Sequence, residues 1–294
     1  MRSVFGQKEE KYDTGLRMCP SCRALIDRNA STCPLCGANV RAPRSRPSSA
    51  PGRVMGGVIP VPSTANSIII AFTILIYILS WVMTQRAASA AMQSAPALGG
   101  ISTNVLLRLG AKSPYILMGQ WWRLVTAIFL HAGLIHIGFN LWCLFDVGPM
   151  VEDLFGSSKY VVLYLVTGVF GYIVSLYWAP MGLSIGASGA IMGLIGILIG
   201  ASYHLGSMGK DLRRQLWKWV IYIAIFGLLP MFSVDNAAHF GGFISGLLLG
   251  YVIATGEPQT REGELLWNTL AILSVLVIAG SFALMALNLS HPLG

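Results

Sequence analysis

The segment Ser184-Ile-Gly-Ala-Ser-Gly-Ala190, SIGASGA, interrupts a stretch without a single Asp, Glu, Lys or Arg from Tyr160 to Gly209. A bilayer core of about 30 Å is crossed by roughly 20 apolar residues in helix, so this stretch holds two crossings and a turn between them. Two serines and two glycines weaken a segment that otherwise reads as lipid-soluble helix. Ser188 stands where the second crossing begins, and the question is what a hydroxyl does there.

Working outward, seven runs are apolar and long enough to span: Ser67–Thr84, Leu124–Phe145, Tyr160–Trp178, Ser188–Leu205, Trp217–Ser233, Ala237–Thr255 and Leu265–Leu289. The connection Gln85–Arg123 is too polar to cross, and its Trp121-Trp122 pair suits a membrane interface. Composition agrees. Of 294 residues 54% are apolar and 11% charged, where soluble domains carry about a quarter charged residues. The fold class is therefore an all-α integral membrane protein. Its 33 glycines fit helices that approach closely in lipid.

The net charge of +8 does not point to nucleic acid, because residues 1–53 hold ten Lys/Arg against four Asp/Glu, ahead of the first span. With that tail in the cytoplasm and seven crossings, cytoplasmic segments hold sixteen Lys/Arg and the opposite side four, all within 85–123. This is the positive-inside pattern, with the C-terminus extracytoplasmic. No secretory signal is visible, so the first apolar run reads as a retained helix, by default in the plasma membrane.

The tail divides in two. Residues 1–40 contain Cys19-Pro-Ser-Cys22 and Cys33-Pro-Leu-Cys36, two CxxC pairs ten residues apart. Four thiolates complete a tetrahedral Zn²⁺ shell and can fold a segment too short for its own core. Two disulfides or four unrelated thiols are the competing readings; a cytoplasmic position and the regular pairing favour structural zinc. The pattern resembles a zinc ribbon. With only Arg17, Arg23, Arg28 and Arg41 on or beside it, the expected role is structural or a protein contact. Residues 41–66 are rich in Pro, Ser and Arg and read as a disordered linker. Cys143, mid-span, reads as a small hydrophobe.

Ionisable and polar groups at membrane depth are costly and are functional candidates by default. In the orientation above, His136 and Asn140, four residues apart on one helix face, lie in the outer half of the second span. Ser188 opens the fourth span and His239 the sixth, both also from the outer side. A serine beside a histidine suggests a nucleophile and its base. Attack on a carbonyl builds a negative oxygen, and His136, Asn140 and the Ser188 backbone N–H are the donors available to meet it. Gly189, Gly193, Gly196 and Gly200 form one helical stripe and Gly242, Gly246 and Gly250 another, so the fourth and sixth spans are expected to touch. Taken singly, each residue has a plainer reading as a cap, a back-bonding hydroxyl or a structural hydrogen bond. Their shared depth favours catalysis.

The set Trp122-Arg123, His136-x-x-x-Asn140, Gly186-Ala187-Ser188-Gly189 and Ala238-His239-x-x-Gly242-x-x-x-Gly246 resembles the rhomboid family of intramembrane serine proteases. The resemblance covers residues 67–255 and implies a six-helix catalytic bundle, to which 256–294 add a loop and a seventh transmembrane helix. It implies cleavage of membrane-anchored proteins in or beside their transmembrane segments with no cofactor in catalysis. Ser188 would be the nucleophile, His239 the general base and acid, and His136 and Asn140 the oxyanion donors. Trp122-Arg123 resembles a first-loop motif of structural character, and Phe139, Trp219, Tyr222 and Phe226 would help form a substrate gate. Many members carry an aromatic four residues after the serine, where this chain has Met192, whose thioether can meet a ring edge.

The expected reaction is acyl transfer by a Ser188–His239 dyad; Asp235, one turn before His239, reads as a cap of the sixth helix. A rhomboid-like protein that binds membrane clients without cutting them is the alternative, disfavoured by the presence of both Ser and His. A transporter is disfavoured because the polar residues cluster at one face. The expected partners are transmembrane protein substrates, the lipid bilayer and a protein bound by the ribbon, not nucleic acid.

Overall fold

The computed structural model of the chain describes residues 16–18, 25–27, 30–37, 64–91, 96, 99–228, 234–253, 255–256, 258 and 260–289. Two units separate, Met1–Gly52 and Arg53–Gly294. In the first, β1 (Leu16–Met18) pairs antiparallel with β2 (Leu25–Asp27), Arg17 opposite Ile26. The strands flank Cys19 and Cys22, which lie outside the described residues. Cys33 is buried with Ile26, and the Gly37 N–H donates to the Cys33 carbonyl at 2.9 Å, closing a turn that Gly37 completes at φ 70°.

The second unit is helical: α1 (Thr64–Ala90), α2 (Thr103–Arg108), α3 (Arg123–Thr126), α4 (Leu134–Phe155), α5 (Ser157–Trp178), α6 (Ser188–Ser202), α7 (Gly206–Leu228), α8 (Asn236–Val252) and α9 (Arg261–Asn288). Among the described residues α1, α4, α5 and α9 are long and apolar enough to cross a membrane. At 15 residues α6 is shorter, about 22 Å at 1.5 Å per residue. A helix shorter than the bilayer core leaves an end below the membrane surface.

The second expected span is displaced. The helix starts at Leu134 instead of Leu124 and runs to Phe155. Leu124–Leu130 is apolar enough to span, yet it forms α3 and a 3-10 turn, Ala127–Phe129. Tertiary bonds hold the segment there: the Thr126 hydroxyl donates to the Gly110 carbonyl at 2.8 Å, and Ala127 O accepts from the Gly186 N–H at 2.9 Å. At the far end α4 carries Glu152, whose buried carboxylate accepts the Ala65 and Asn66 N–H groups at 3.0 and 2.9 Å and so caps α1. The fifth expected span is displaced too. Its preceding segment, expected as a loop from 204 to 218, is helical from Gly206, with Arg213 donating to Ser202 Oγ and lying over Tyr203. Charges placed on the solvated face of a helix leave its apolar face free to pack.

Small residues set the centre of the bundle. Nearly every α6 side chain is buried, and α8 lies directly against it. A methyl group at Gly242, Gly246 or Gly250 would fall inside the backbone of Gly189, Gly193 or Ile197. Asn66 ties three helices, donating to Leu144 O at 3.1 Å and accepting from Tyr160 OH at 2.7 Å. Phe282 of α9 meets Phe72 and Phe129 edge-on, at 5.1 and 5.8 Å between ring centroids, which seats the last helix on the bundle.

Candidate active site

The SIGASGA segment folds as a pinned loop running into α6. Ser184 pairs with Lys112 in both directions, at 3.0 and 3.1 Å. The Tyr172 hydroxyl donates to the Gly186 carbonyl at 2.9 Å, with Ala127 O also within reach at 3.2 Å. Gly186 adopts φ 118°, a conformation that L side chains rarely take. Two residues later Ser188 becomes the first residue of α6, where backbone N–H groups have no helical partner.

His239 lies in the first turn of α8. Its N-terminus is capped by Asp235, whose Oδ1 accepts the Ala238 N–H at 2.9 Å and whose Oδ2 accepts the Ser175 hydroxyl. The close α6–α8 contact then places His239 Nε2 2.7 Å from Ser188 Oγ. For the hydroxyl to donate, Nε2 must be the unprotonated nitrogen. His239 is buried at 9% exposure and Ser188 is half-buried, so the pair is screened from bulk solvent without being sealed.

His136 lies in the first turn of α4. Its Nδ1 faces the Ala132 N–H at 3.3 Å, so Nδ1 accepts and the neutral ring carries its proton on Nε2. That Nε2 is the atom beside Gly186: a Cβ built on Gly186 would be 2.7 Å from it and 3.9 Å from Ser188 Oγ. Asn140, one turn on, is buried and donates through Nδ2 to the His136 carbonyl at 2.8 Å. A carbonyl partner fixes which amide atom is nitrogen, and one hydrogen on it remains for another acceptor. The four residues expected at one depth thus sit on α4, α6 and α8 at the end of the bundle where these helices begin.

The neighbourhood contains residues that sequence reasoning passed over. His131 is fully buried, with its ring edge-on to His136 at 4.9 Å. Its five-residue spacing from His136 put it on no shared helix face. Tyr172, within the third span, holds the Gly186 carbonyl. Trp122-Arg123 acts as a pin: the buried Arg123 guanidinium donates to Gln120 Oε1 and Leu107 O at 2.7 Å and Ala111 O at 3.1 Å, and stacks on Tyr115 and Trp122. Burial pulls its pKa down to about 10. Phe139 meets Trp142, which meets Trp219 of α7 edge-on at 5.6 Å; Tyr222 is exposed, and the Phe226 side chain lies outside the described residues.

Residues 118–256 match the family model described as Rhomboid domain. The chain is 35% identical over 184 residues to Rhomboid protease GluP of Bacillus subtilis (strain 168), covering 61% of this chain and 35% of that protein. It is 35% identical over 170 residues to RHOMBOID-like protein 6, mitochondrial, of Arabidopsis thaliana, covering 56% and 54%. To Rhomboid-type serine protease 2 of Emericella nidulans it is 32% identical over 151 residues, covering 49% and 29%. The chain therefore spans about half or less of the length of these relatives.

Proposed function

From the premise that the chain belongs to the rhomboid family, we propose that it is an intramembrane serine endopeptidase that cuts membrane-anchored proteins in or near their transmembrane segments. The observation that carries this reading is the 2.7 Å contact between Ser188 Oγ and His239 Nε2 at the start of a buried helix. Ser188 attacks the scissile carbonyl carbon as its proton passes to His239 Nε2. The carbonyl oxygen becomes negative and is met by the Ser188 N–H, His136 Nε2–H and Asn140 Nδ2–H. The C–N bond then breaks, His239 gives its proton to the leaving amine, and Ser188 holds the acyl group. Water, deprotonated by His239, attacks that ester; the bond from the acyl carbon to Ser188 Oγ breaks, His239 returns the proton to Ser188, and the acyl group leaves as a carboxylic acid. Base and donors are all protein groups, and the reaction asks for no cofactor.

In this reading α1, α4, α5, α6, α7 and α8 are the six helices of the catalytic domain, residues 67–255, and α9 is a seventh crossing within 256–294. The basic tail lies in the cytoplasm, the dyad near the extracytoplasmic surface, and the chain in the plasma membrane. Zinc would be held by Cys19, Cys22, Cys33 and Cys36. The fit is supported by the antiparallel strands on either side of the first pair and by the Cys33–Gly37 turn. The ribbon's partner would be a protein.

The test is incubation of the purified chain in detergent with tagged single-span substrates, alongside Ser188→Ala and His239→Ala. Cleavage by the unmutated chain only is expected; cleavage by Ser188→Ala as well, or by no version on several substrates, would reject the reading.

A further inference from the structure

A cavity of about 310 Å³ lies at the end of the bundle that carries the dyad, its polar lining supplied by Lys112, Ser175, Ser184, Asp235 and Asn236. Lys112 is 1% exposed. Its backbone pairs with Ser184, four residues before Ser188, and its Nζ donates to the Ala179 carbonyl at 2.5 Å, so it grips both ends of the loop that delivers the nucleophile. An ammonium carries three hydrogens and a full charge, and one carbonyl does not compensate its burial. The countercharge is Asp235, on the wall of the same cavity and four residues before His239. Desolvation pulls the Lys112 pKa below the ordinary lysine range, and the Asp235 charge draws it back up. Asp235 is itself tied to α5 through Ser175 and to α8 through the Ala238 N–H.

We propose that Lys112 and Asp235 form a charge clamp of two positioning residues that sets Ser188 against His239, one holding the loop into α6 and the other the first turn of α8. The clamp rests on the protease reading above and deepens it: the connection before α4, outside the reacting groups, governs the geometry of the dyad. Its charges also leave a signature that packing alone does not. Facing His239 are Asp235 from its own helix, His136 from α4 and Ser188 from α6, while α5 supplies the uncharged Ser175 and Tyr172 near Asp235. Removing one charge strands the other in the buried cavity, whereas removing both does not.

The experiment measures the second-order rate at which a fluorophosphonate probe labels Ser188 in the full chain in detergent. Asp235→Asn is expected to slow labelling about tenfold by loosening the dyad, and Lys112→Met to slow it similarly. The double variant is expected to label faster than the product of the single effects predicts, because no unpaired buried charge remains. Ser175→Ala keeps both charges and is expected to lose a few-fold in rate. Thermal unfolding accompanies each variant; should either neutralised variant fail to fold, Ser175→Ala decides alone. Single variants within about twofold of the unmutated rate, a double variant no faster than the product of the single effects, or an unaffected Ser175→Ala would each overturn the clamp. No labelling of the unmutated chain would overturn the protease reading, and the clamp with it.

Discussion

Gly186 leaves the space that the His136 imidazole occupies, since a Cβ on Gly186 would stand 2.7 Å from His136 Nε2. The glycine also holds φ 118°. Gly186→Ala therefore meets two penalties, about 1–3 kcal/mol of backbone strain and displacement of the His136 ring. Activity is expected to fall about a hundredfold, with a modest loss of thermal stability. Cleavage assays and unfolding scans of the same preparation separate the two; full activity in the Gly186→Ala chain would show that His136 is not held by this packing.

His136 and Asn140 make no bond to Ser188, so their loss should leave the nucleophile and its base in place. His136→Ala and Asn140→Ala are each expected to lower kcat by about 10²–10³ with little change in KM. A rise in KM at constant kcat would instead assign them to substrate binding.

Much of this arrangement was readable in the amino-acid order, and the parts that were not share a physical cause. Glycines at helical spacing announce a backbone contact, and the α6–α8 seam is that contact. Polar residues in apolar spans announced Ser188, His239, His136 and Asn140 as candidates, although no pattern could state the 2.7 Å separation of the first two. Leu124–Leu130 misled because hydropathy counts side chains by type, whereas here the Ala127 carbonyl accepts the Gly186 N–H and the Thr126 hydroxyl donates to the Gly110 carbonyl, partners distant in sequence. The charged start of α7 misled for the opposite reason: it helps form a helix while being too polar to count as a span. Lys112 looked like one more outside charge, and only the cavity shows what it faces.

The glycine seam gives a paired prediction. A methyl on Gly246 would enter the backbone of Gly193, whereas one on Gly280 of α9 would meet open space. Gly246→Ala is expected to cost roughly 1–3 kcal/mol by overpacking. Gly280→Ala should be neutral or stabilising, because glycine is the poorer helix former by about 1 kcal/mol. Equal melting temperatures for the two variants would contradict the closeness of α6 and α8.

Glu152 is a carboxylate whose role is architectural. It accepts from Ala65 N, Asn66 N and the Ser157 hydroxyl, at 3.0, 2.9 and 2.5 Å. Glu152→Gln replaces one accepting oxygen by an amide NH2 that cannot accept, leaving a buried donor unmet at a cost of about 1–3 kcal/mol. Thermal unfolding should show that loss while kcat of the folded protein stays unchanged. A loss of kcat at unchanged stability would place Glu152 in the chemistry.

The cysteine segment should bind metal independently of the dyad. Ile26 and Cys33, with Ala30 against them, are the buried cluster among its described residues, far too little to offset the entropy of ordering the segment at about 1–2 kcal/mol per residue. Bound zinc would supply the difference. Elemental analysis of the full chain purified without chelators is expected to give one zinc per chain, and Cys33→Ser to lose it. Labelling of Ser188 by a fluorophosphonate should continue at an unchanged rate in Cys33→Ser, because the catalytic chemistry uses no metal. Retention of zinc by Cys33→Ser would place the metal elsewhere, and loss of labelling with loss of zinc would make the ribbon a controller of the membrane domain.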